Sequence, residues 1–289
     1  MLLRLVPAGT AALMRLAGAR LETTDLAGYR LRIWTLGPVD GEPWLLLHGL
    51  AATAASWLPL LPRLRRDCRL VVPELSALGG TTGPTDGLDV ARGSAVAASL
   101  IERRLGGGPA TVCGSSLGGW IGVRLALARP NLVGRLFVLS CAGYRHEDWA
   151  RVERLVRPER AADVDRLVAA QFARRPPFLA LARPLLLRAF TSAPVRNVLA
   201  ALSADDAFDE AELAGLTMPV GILWGAHDGL FPVATGEAMA RAIPHAVLEV
   251  LAGCAHVPQW EAPRQVSAAL ARLRRSVPLP EGATMGTAS

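Results

Sequence analysis

The chain has 289 residues, of which 51% are apolar, so it can bury the core of one large domain. The formal net charge is +6, and because the sequence contains no lysine, every Lys or Arg position is an arginine. These arginines are scattered, with only short pairs such as Arg65 and Arg66, which argues against a nucleic-acid partner, since such proteins cluster their basic residues. The composition, rich in Ala, Leu, Gly and Arg, is typical of a GC-rich bacterial genome.

The cysteines also limit the class of protein. Four cysteines are too few for a disulfide framework in a chain of this length, and they are Cys68, Cys113, Cys141 and Cys254. Two of them lie in or beside apolar runs, where a free thiol behaves as a small apolar group. This pattern favours a reducing compartment. We therefore expect a cytoplasmic protein, with membrane association as an alternative.

Residues 1–20 form an apolar segment that Arg4 and Arg15 interrupt, which argues against a membrane-spanning helix and against a signal peptide. The spacing of its leucines predicts a short amphipathic helix, with Leu2, Leu5, Leu13 and Leu16 on one face. Such a helix either packs on the domain or lies on a membrane surface. At the other end, residues 278–289 are expected to form a disordered tail.

Short apolar runs alternate with longer helical patterns along most of the chain. The run 29–36 alternates with a period of two and predicts an edge strand. Further strands are predicted at 44–49, 69–74, 110–114, 135–140, 220–225 and 246–251. Helices are predicted between and after them, at 57–66, 90–105, 117–128, 233–243 and 263–274. This alternation predicts a doubly wound, mostly parallel α/β sheet with helices on both faces.

Residues 145–211 interrupt this alternation with helical patterns only. A long insertion of this kind predicts a helical cap over the carboxyl edge of the sheet. The alternative is a set of additional core helices. With a cap at 145–211, the α/β core consists of residues 21–144 and 212–277.

The stretch "ATVCGSSLGGWIG" at 110–122 is the strongest candidate for chemistry. Ligands of doubly wound sheets bind beyond the carboxyl ends of the strands, and this stretch follows a predicted strand and opens a predicted helix. A nucleophile at such a turn takes a strained backbone, and glycines two residues to either side relieve the crowding. Gly114 and Gly118 flank Ser116 in this way, whereas Ser115 has no glycine at either corresponding position. The spacing selects Ser116 as the nucleophile.

A serine hydroxyl needs a base to remove its proton. Of the five histidines, His256 follows the last predicted strand and therefore overhangs the carboxyl edge of the sheet. Asp228 closes the preceding strand and is predicted to orient the imidazole and to stabilise its charged form. The sequence therefore predicts a Ser116–Asp228–His256 triad.

An acyl-transfer site also needs donors for the oxyanion that develops on the substrate. The backbone N–H of Leu117 is predicted to supply one, and that of Leu50 the second, with Ala51 as the alternative. The substrate pocket is expected to include His48, Ala51, Phe178, Leu230 and Val257. No metal and no cofactor is expected.

Four stretches carry a family resemblance: "LLLHGL", "CGSSLGGWIG", "LWGAHDGLFP" and "AGCAHVPQWEAP". In this order they resemble the serine-nucleophile branch of the α/β-hydrolase superfamily over most of the chain. One stretch, "VVPELSALGGTTGP", departs from the family's usual Asp-x-Pro-Gly-x-Gly-x-Ser loop, because Glu74 replaces the aspartate. The "GTT" at 80–82, together with the apolar N-terminus and the cap, resembles monoacylglycerol-lipase-like members.

The resemblance implies an α/β-hydrolase fold with a cap and an esterase or lipase that forms an acyl-enzyme on Ser116. The apolar run at 178–190 favours a lipophilic small-molecule acyl substrate. Carbon–carbon bond hydrolases, aminopeptidases and perhydrolases of this fold also use serine and stay open as alternatives, as does a non-catalytic binding member. Epoxide hydrolases and haloalkane dehalogenases use aspartate at the elbow, so Ser116 argues against them. A peripheral membrane contact is expected through the N-terminal segment or the cap.

Overall fold

The computed structural model describes residues 6–83, 88–177, 179–202 and 206–276. Eight strands form one sheet, and in chain order they are β1 (Arg20–Leu26), β2 (Tyr29–Leu36), β3 (Glu42–Leu47), β4 (Cys68–Pro73), β5 (Ala110–Ser115), β6 (Val133–Leu139), β7 (Val220–Gly225) and β8 (Ala246–Leu251). Their order across the sheet is β1-β2-β4-β3-β5-β6-β7-β8. β1 pairs antiparallel with β2 and β2 with β4, while the other pairs are parallel. The predicted fold class is confirmed.

The predicted position of residues 29–36 at the sheet edge is wrong. β1 covers the outer side of β2, with a register that runs from Arg20 opposite Thr35 to Leu26 opposite Tyr29. The two strands are joined by a two-residue turn, and both turn residues have positive φ, as tight hairpins require. β1 escaped prediction because it is polar, and Leu26 is its one fully buried residue.

Helices cover both faces of the sheet in the described part of the chain. They are α1 (Val6–Leu16), α2 (Leu61–Leu64), α3 (Val90–Arg104), α4 (Leu117–Ala128), α5 (Trp149–Val156), α6 (Ala161–Gln171), α7 (Leu179–Phe190), α8 (Ala193–Ala201), α9 (Glu210–Leu213), α10 (Val233–Ala242), α11 (Pro258–Glu261) and α12 (Pro263–Ser276). α3, α4 and α10 share one apolar cluster with the sheet. α1 and α12 share the cluster on the opposite face.

Residues 57–66 differ from the single predicted helix. A 3-10 helix spans Ala54–Trp57, and α2 is only one turn long. Pro59 and Pro62 lack a backbone N–H, so an uninterrupted helix through this stretch would lose hydrogen bonds. The short elements still bury Trp57, Leu60 and Leu61 completely.

α1 packs on the domain through one face. Met14 is fully buried, whereas Leu16 on the other face is 85% exposed. The rest of the predicted N-terminal segment, residues 1–5, and the predicted tail at 278–289 lie outside the described residues. None of the helices in the described ranges combines the length and the apolar character that crossing a bilayer requires.

The chain between β6 and β7 contributes α5 to α9. The Arg151 guanidinium on α5 donates to the carbonyl of Leu230, which follows β7. The last turn of α6 also contacts this loop, because Gly229 N–H donates to the Ala170 carbonyl at 2.9 Å. α5 and α6 therefore lie against the loop at the carboxyl end of β7. The boundaries of a separate cap at 145–211 stay a prediction.

Candidate active site

Ser116 lies at the turn between the end of β5 and the start of α4. Its backbone has φ 53° and ψ −117°, a positive φ that residues with a side chain rarely adopt. The turn is held on the sheet because Ser116 N–H donates to the Leu139 carbonyl at 3.0 Å. This is the strained strand-to-helix turn that the sequence predicts for the nucleophile.

The two flanking glycines are sterically required. A Cβ on Gly114 would lie 2.2 Å from the carbonyl oxygen of Gly118, and a Cβ on Gly118 would lie 2.1 Å from the carbonyl oxygen of Leu47. Real Cβ atoms essentially never approach other atoms below 3.0 Å. Both clashes are with backbone atoms, which cannot move aside as a flexible side chain can. Any side chain at either position would therefore distort the turn that carries Ser116.

Asp228 and His256 form a buried hydrogen-bonded pair. A hydrogen bond of 2.9 Å joins His256 Nδ1 and Asp228 Oδ2. His256 is 2% exposed and Asp228 is 8% exposed. The other carboxylate oxygen, Oδ1, accepts the N–H groups of Leu230 at 2.9 Å and Phe231 at 3.0 Å. With Nδ1 donating to the carboxylate, Nε2 is the nitrogen that can accept a proton.

Ser116 and His256 line the same cavity, which has a volume of about 650 Å³. No hydrogen bond joins their side chains in the described part of the chain. Such bonds are often long in ligand-free enzymes and shorten only when substrate binds. The structure therefore brings the three predicted residues to one edge of the sheet, with the imidazole already oriented by Asp228.

The predicted oxyanion donors lie at the same place. Leu50, Ala51 and Leu117 all line the cavity. Leu117 is the first residue of α4, so its N–H has no partner within the helix and is available to an anion. Ala51 has φ 55°, a second strained backbone position in the loop that follows β3.

His48 does not line the cavity, so its assignment to the substrate pocket is wrong. The ring is 2% exposed, Nδ1 bonds the Gly49 carbonyl at 2.9 Å, and Nε2 accepts Leu75 N–H at 3.0 Å. Burial lowers the pKa of His48 to about 4, so the ring is neutral near pH 7. Its contacts hold the loop after β3 instead.

Glu74 supports the same loop. It is fully buried, and its carboxylate accepts the indole N–H of Trp34 at 2.9 Å and the backbone N–H of Ala54 at 3.0 Å. Burial raises the pKa of the Glu74 carboxyl to about 7. The sequence shows Glu74 as a departure from the family loop, but these contacts depend on distant residues and could not be predicted from it.

The cavity walls are mostly apolar. The predicted pocket residues Ala51, Leu230 and Val257 line it, while Phe178 lies outside the described residues. Sequence reasoning missed the cavity-lining side chains of α5 and of the end of α6, among them Val152, Val156, Val168 and Phe172. It related the apolar run at 178–190 to the substrate but named only Phe178 as a pocket residue, whereas Leu186 and Phe190 line the cavity. Helical periodicity indicates that these helices have an apolar face, but it does not indicate that this face surrounds Ser116.

A series of aromatic contacts connects the cavity wall with the imidazole of His256. Trp149 lies 5.4 Å from Trp120 and 6.1 Å from Phe231, measured between ring centroids, and Phe231 lies 5.5 Å from His256. An apolar surrounding of this kind excludes water and strengthens the electrostatic interactions of the pair. In the described ranges, no three His, Cys, Asp or Glu side chains come together as metal ligands would.

Comparison with known proteins identifies the family of the chain. The sequence profile described as "Alpha/beta hydrolase family" matches residues 44–269. The chain belongs to this family.

Two curated relatives and one solved structure are similar to the chain. The chain is 30% identical over 245 residues to a pimeloyl-[acyl-carrier protein] methyl ester esterase of Aromatoleum aromaticum, covering 74% of this chain and 90% of the relative. It is 26% identical over 256 residues to a 2-hydroxymuconate semialdehyde hydrolase of Pseudomonas putida, and the match covers 81% of this chain and 87% of the relative. The crystal structure of a membrane phospholipase A superposes with a TM-score of 0.78 at 24% identity, covering 94% of this chain and 92% of that one. The chain is a hydrolase with this fold.

Proposed function

We propose that the protein is a serine hydrolase that cleaves carboxylic esters of lipophilic substrates through an acyl-enzyme on Ser116. The observation that carries the proposal is the buried His256–Asp228 pair, which lines one apolar cavity together with a serine held at positive φ. The methyl ester esterase that the chain resembles over 90% of its length supports ester cleavage.

In the proposed mechanism, His256 Nε2 removes the proton of Ser116 as the hydroxyl oxygen attacks the ester carbonyl. Asp228 stabilises the imidazolium that forms. The backbone N–H groups of Leu117 and Leu50, with Ala51 as the alternative to Leu50, donate to the oxyanion. The C–O bond to the alcohol breaks as His256 returns the proton to it. Water, deprotonated by His256, then releases the acid from Ser116.

The cavity supports a lipophilic substrate. Its volume of about 650 Å³ falls within the usual range for small-molecule sites, and its walls are mostly aliphatic and aromatic. Each buried CH₂ of an acyl chain contributes roughly 0.8 kcal/mol of binding free energy. Longer acyl chains should therefore bind more tightly until the cavity is filled.

A series of p-nitrophenyl esters and monoacylglycerols of increasing acyl length tests the proposal. We expect kcat/KM to rise with chain length and then to level off. Ala182 lines the cavity, so Ala182→Trp should move the optimum to shorter chains. Ala180 is exposed on the same helix, and Ala180→Trp is the matched control that should leave the optimum unchanged. A protein that hydrolyses none of these esters contradicts the proposal.

Carbon–carbon bond hydrolysis is the second candidate, favoured by the resemblance to the 2-hydroxymuconate semialdehyde hydrolase. The same serine, base and oxyanion donors would serve that reaction. A 2-hydroxymuconate semialdehyde assay run beside the ester series separates the two. Turnover of this compound at a kcat/KM above that of every ester supports the second candidate.

We also propose a peripheral contact with a lipid surface, made through α1 or α7. Large apolar side chains are exposed on both helices, Leu16 at 85% and Leu181 at 87%. Arg15 and Arg188, in the last turns of these helices, provide positive charge for anionic headgroups. Exposed apolar side chains next to arginine are typical of helices that lie in a membrane interface.

A further inference from the structure

Glu261 ends α11, five residues after His256, and its carboxylate bridges two separate segments of the chain. Oε1 accepts the backbone N–H of Ala173 at 2.8 Å, just after α6. Oε2 accepts the backbone N–H of Ala255 at 2.7 Å, which belongs to the Cys254–Ala255 peptide group, one peptide before that of His256. No arginine or histidine forms an ion pair with Glu261 in the described ranges. The carboxylate therefore acts as an acceptor for backbone.

The same junction contains two further hydrogen bonds from backbone. His256 N–H donates to the Gln171 carbonyl at 3.0 Å, and Gly229 N–H donates to the Ala170 carbonyl at 2.9 Å. The last carbonyls of a helix have no partner within it, so the loops that carry His256 and Asp228 supply the missing donors to α6. A Cβ on Gly229 would lie 2.9 Å from Ala170 Cα, so glycine permits this close approach.

The end of α6 also forms part of the cavity wall, because Val168, Gln171 and Phe172 line the cavity. A carboxylate that accepts N–H groups makes stronger hydrogen bonds than a neutral acceptor does. Among the side chains of the described residues, Glu261 alone hydrogen-bonds to both the His256 loop and the segment that follows α6. Its two bonds tie the position of His256 to the position of this wall.

We propose that Glu261 is a positioning residue that holds His256 in its working orientation and couples it to α6. The inference rests on the proposed function, because it assigns to Glu261 the support of the proposed base. Without the carboxylate, the Ala255 and Ala173 N–H groups lose their acceptor. The Cys254–Ala255 peptide then keeps only the hydrogen bond from His227 N–H to its carbonyl at 2.8 Å. The segment that leads into His256 is held less firmly, and the imidazole moves relative to Ser116 and Asp228.

Steady-state kinetics on p-nitrophenyl acetate test this role in Glu261→Ala, Glu261→Gln and the control Glu237→Ala. Glu237 is exposed on α10, and its removal should leave kcat unchanged. For Glu261→Ala we expect kcat to fall by at least tenfold with KM changed by less than threefold, because the short acyl group makes little use of the wall. Glu261→Gln retains one acceptor oxygen, so its kcat should lie between those of wild type and Glu261→Ala.

Proton NMR adds a readout that a purely structural role would not change. The low-field resonance of the His256 Nδ1 proton, shared with Asp228, should broaden or shift in both Glu261 variants and not in Glu237→Ala. If Glu261→Ala does not fold, Glu261→Gln carries the test.

Wild-type kcat and an unaltered resonance in a folded Glu261 variant overturn the inference. In that case an active wild type leaves the proposed function intact. A wild type that hydrolyses no ester and fails to react with a serine-directed fluorophosphonate refutes the proposed function instead.

Discussion

Ser116 keeps a backbone conformation that its neighbours permit only because they lack side chains. Gly118 is constrained by a neighbouring strand, since a Cβ there would meet the carbonyl oxygens of Leu47 at 2.1 Å and His48 at 2.8 Å. Both oxygens belong to the end of β3 and the loop that follows it, which carries the proposed oxyanion donor Leu50. The elbow and this loop are therefore packed against each other through one glycine.

Gly118→Ala tests this packing. Overpacking against backbone usually costs about 1–3 kcal/mol of unfolding free energy, and we expect a loss at the upper end of that range with a fall of at least tenfold in ester turnover. Gly108→Ala is the matched control, because a Cβ at Gly108 would have no atom within 4 Å. Chemical denaturation and ester kinetics on both variants provide the comparison. Equal effects of the two substitutions would contradict the steric account of the elbow.

At the scale of an element, the loop after β3 depends on two buried titratable side chains that take no part in the proposed reaction. His48, the first residue of this loop, accepts the backbone N–H of Leu75, and Glu74 binds the loop through Ala54 N–H. Nothing in the local sequence of this loop indicates either contact. The loop that carries the proposed oxyanion donor Leu50 is therefore held in part by Glu74 and Leu75, which follow the neighbouring strand β4.

Glu74 gives this element a pH dependence. Burial raises the pKa of the folded-state carboxyl to about 7 from an ordinary 4.5, so the folded protein keeps a proton that the unfolded chain has lost. The resulting stabilisation is fully present below about pH 4.5 and is lost as the pH rises to about 7, by at most roughly 1.4 kcal/mol per pH unit. Glu74→Gln removes this titration.

Chemical denaturation of wild type and Glu74→Gln at pH 5, 6, 7 and 8 measures the effect. Relative to the variant, wild type should lose unfolding free energy between pH 5 and 7 and then stay level. Glu237→Gln, at an exposed position, should follow wild type at every pH. A constant difference between wild type and Glu74→Gln across this range would show that Glu74 does not titrate as described.

Much of the sheet could be predicted from sequence, because strands buried on both faces are nearly continuous apolar runs. The elbow at Ser116 could be predicted for a local reason, since the strain and the glycines that relieve it lie within five consecutive residues. β1 could not be predicted, because its residues are mostly polar and do not form the apolar pattern of a strand. Only its pairing with β2 identifies it as a strand. Pro59 and Pro62 broke the helix predicted at 57–66.

Parts of the candidate site that depend on distant segments were also beyond prediction. His48 was expected in the pocket because it follows a strand, yet the backbone of Leu75 binds its ring. Part of the cavity wall comes from α5 to α8, and a helical sequence pattern does not predict how these helices are oriented relative to the sheet. The Glu261 bridge joins α11 to the segment after α6, which no local pattern connects.

At the scale of the whole molecule, the apolar cavity and the exposed apolar side chains of two helices occur in one chain, for which we propose a lipophilic substrate. α7 presents Ala182 and Leu186 to the cavity, while Leu181 is exposed to solvent. α1 likewise buries Met14 and exposes Leu16. Either helix can place apolar surface in a lipid interface without unfolding.

Sedimentation with anionic phosphatidylglycerol vesicles tests the proposed contact. We expect the wild type to co-sediment with the vesicles. If Leu16→Asp loses binding, α1 makes the contact, and if Leu181→Asp loses binding, α7 makes it. Val39→Asp is the control, since Val39 is also exposed, at 75%, but lies in the turn between β2 and β3. Undiminished binding of a Leu16→Asp/Leu181→Asp double variant would refute both helices.

Ser116, and not its neighbour Ser115, is the proposed nucleophile. The most direct measurement is mass spectrometry of the protein after reaction with a fluorophosphonate, with peptide mapping of the modified residue. We predict one label on Ser116 in wild type and in Ser115→Ala, and neither label nor ester turnover in Ser116→Ala. A label that persists in Ser116→Ala, or that maps to Ser115 in wild type, would contradict the account.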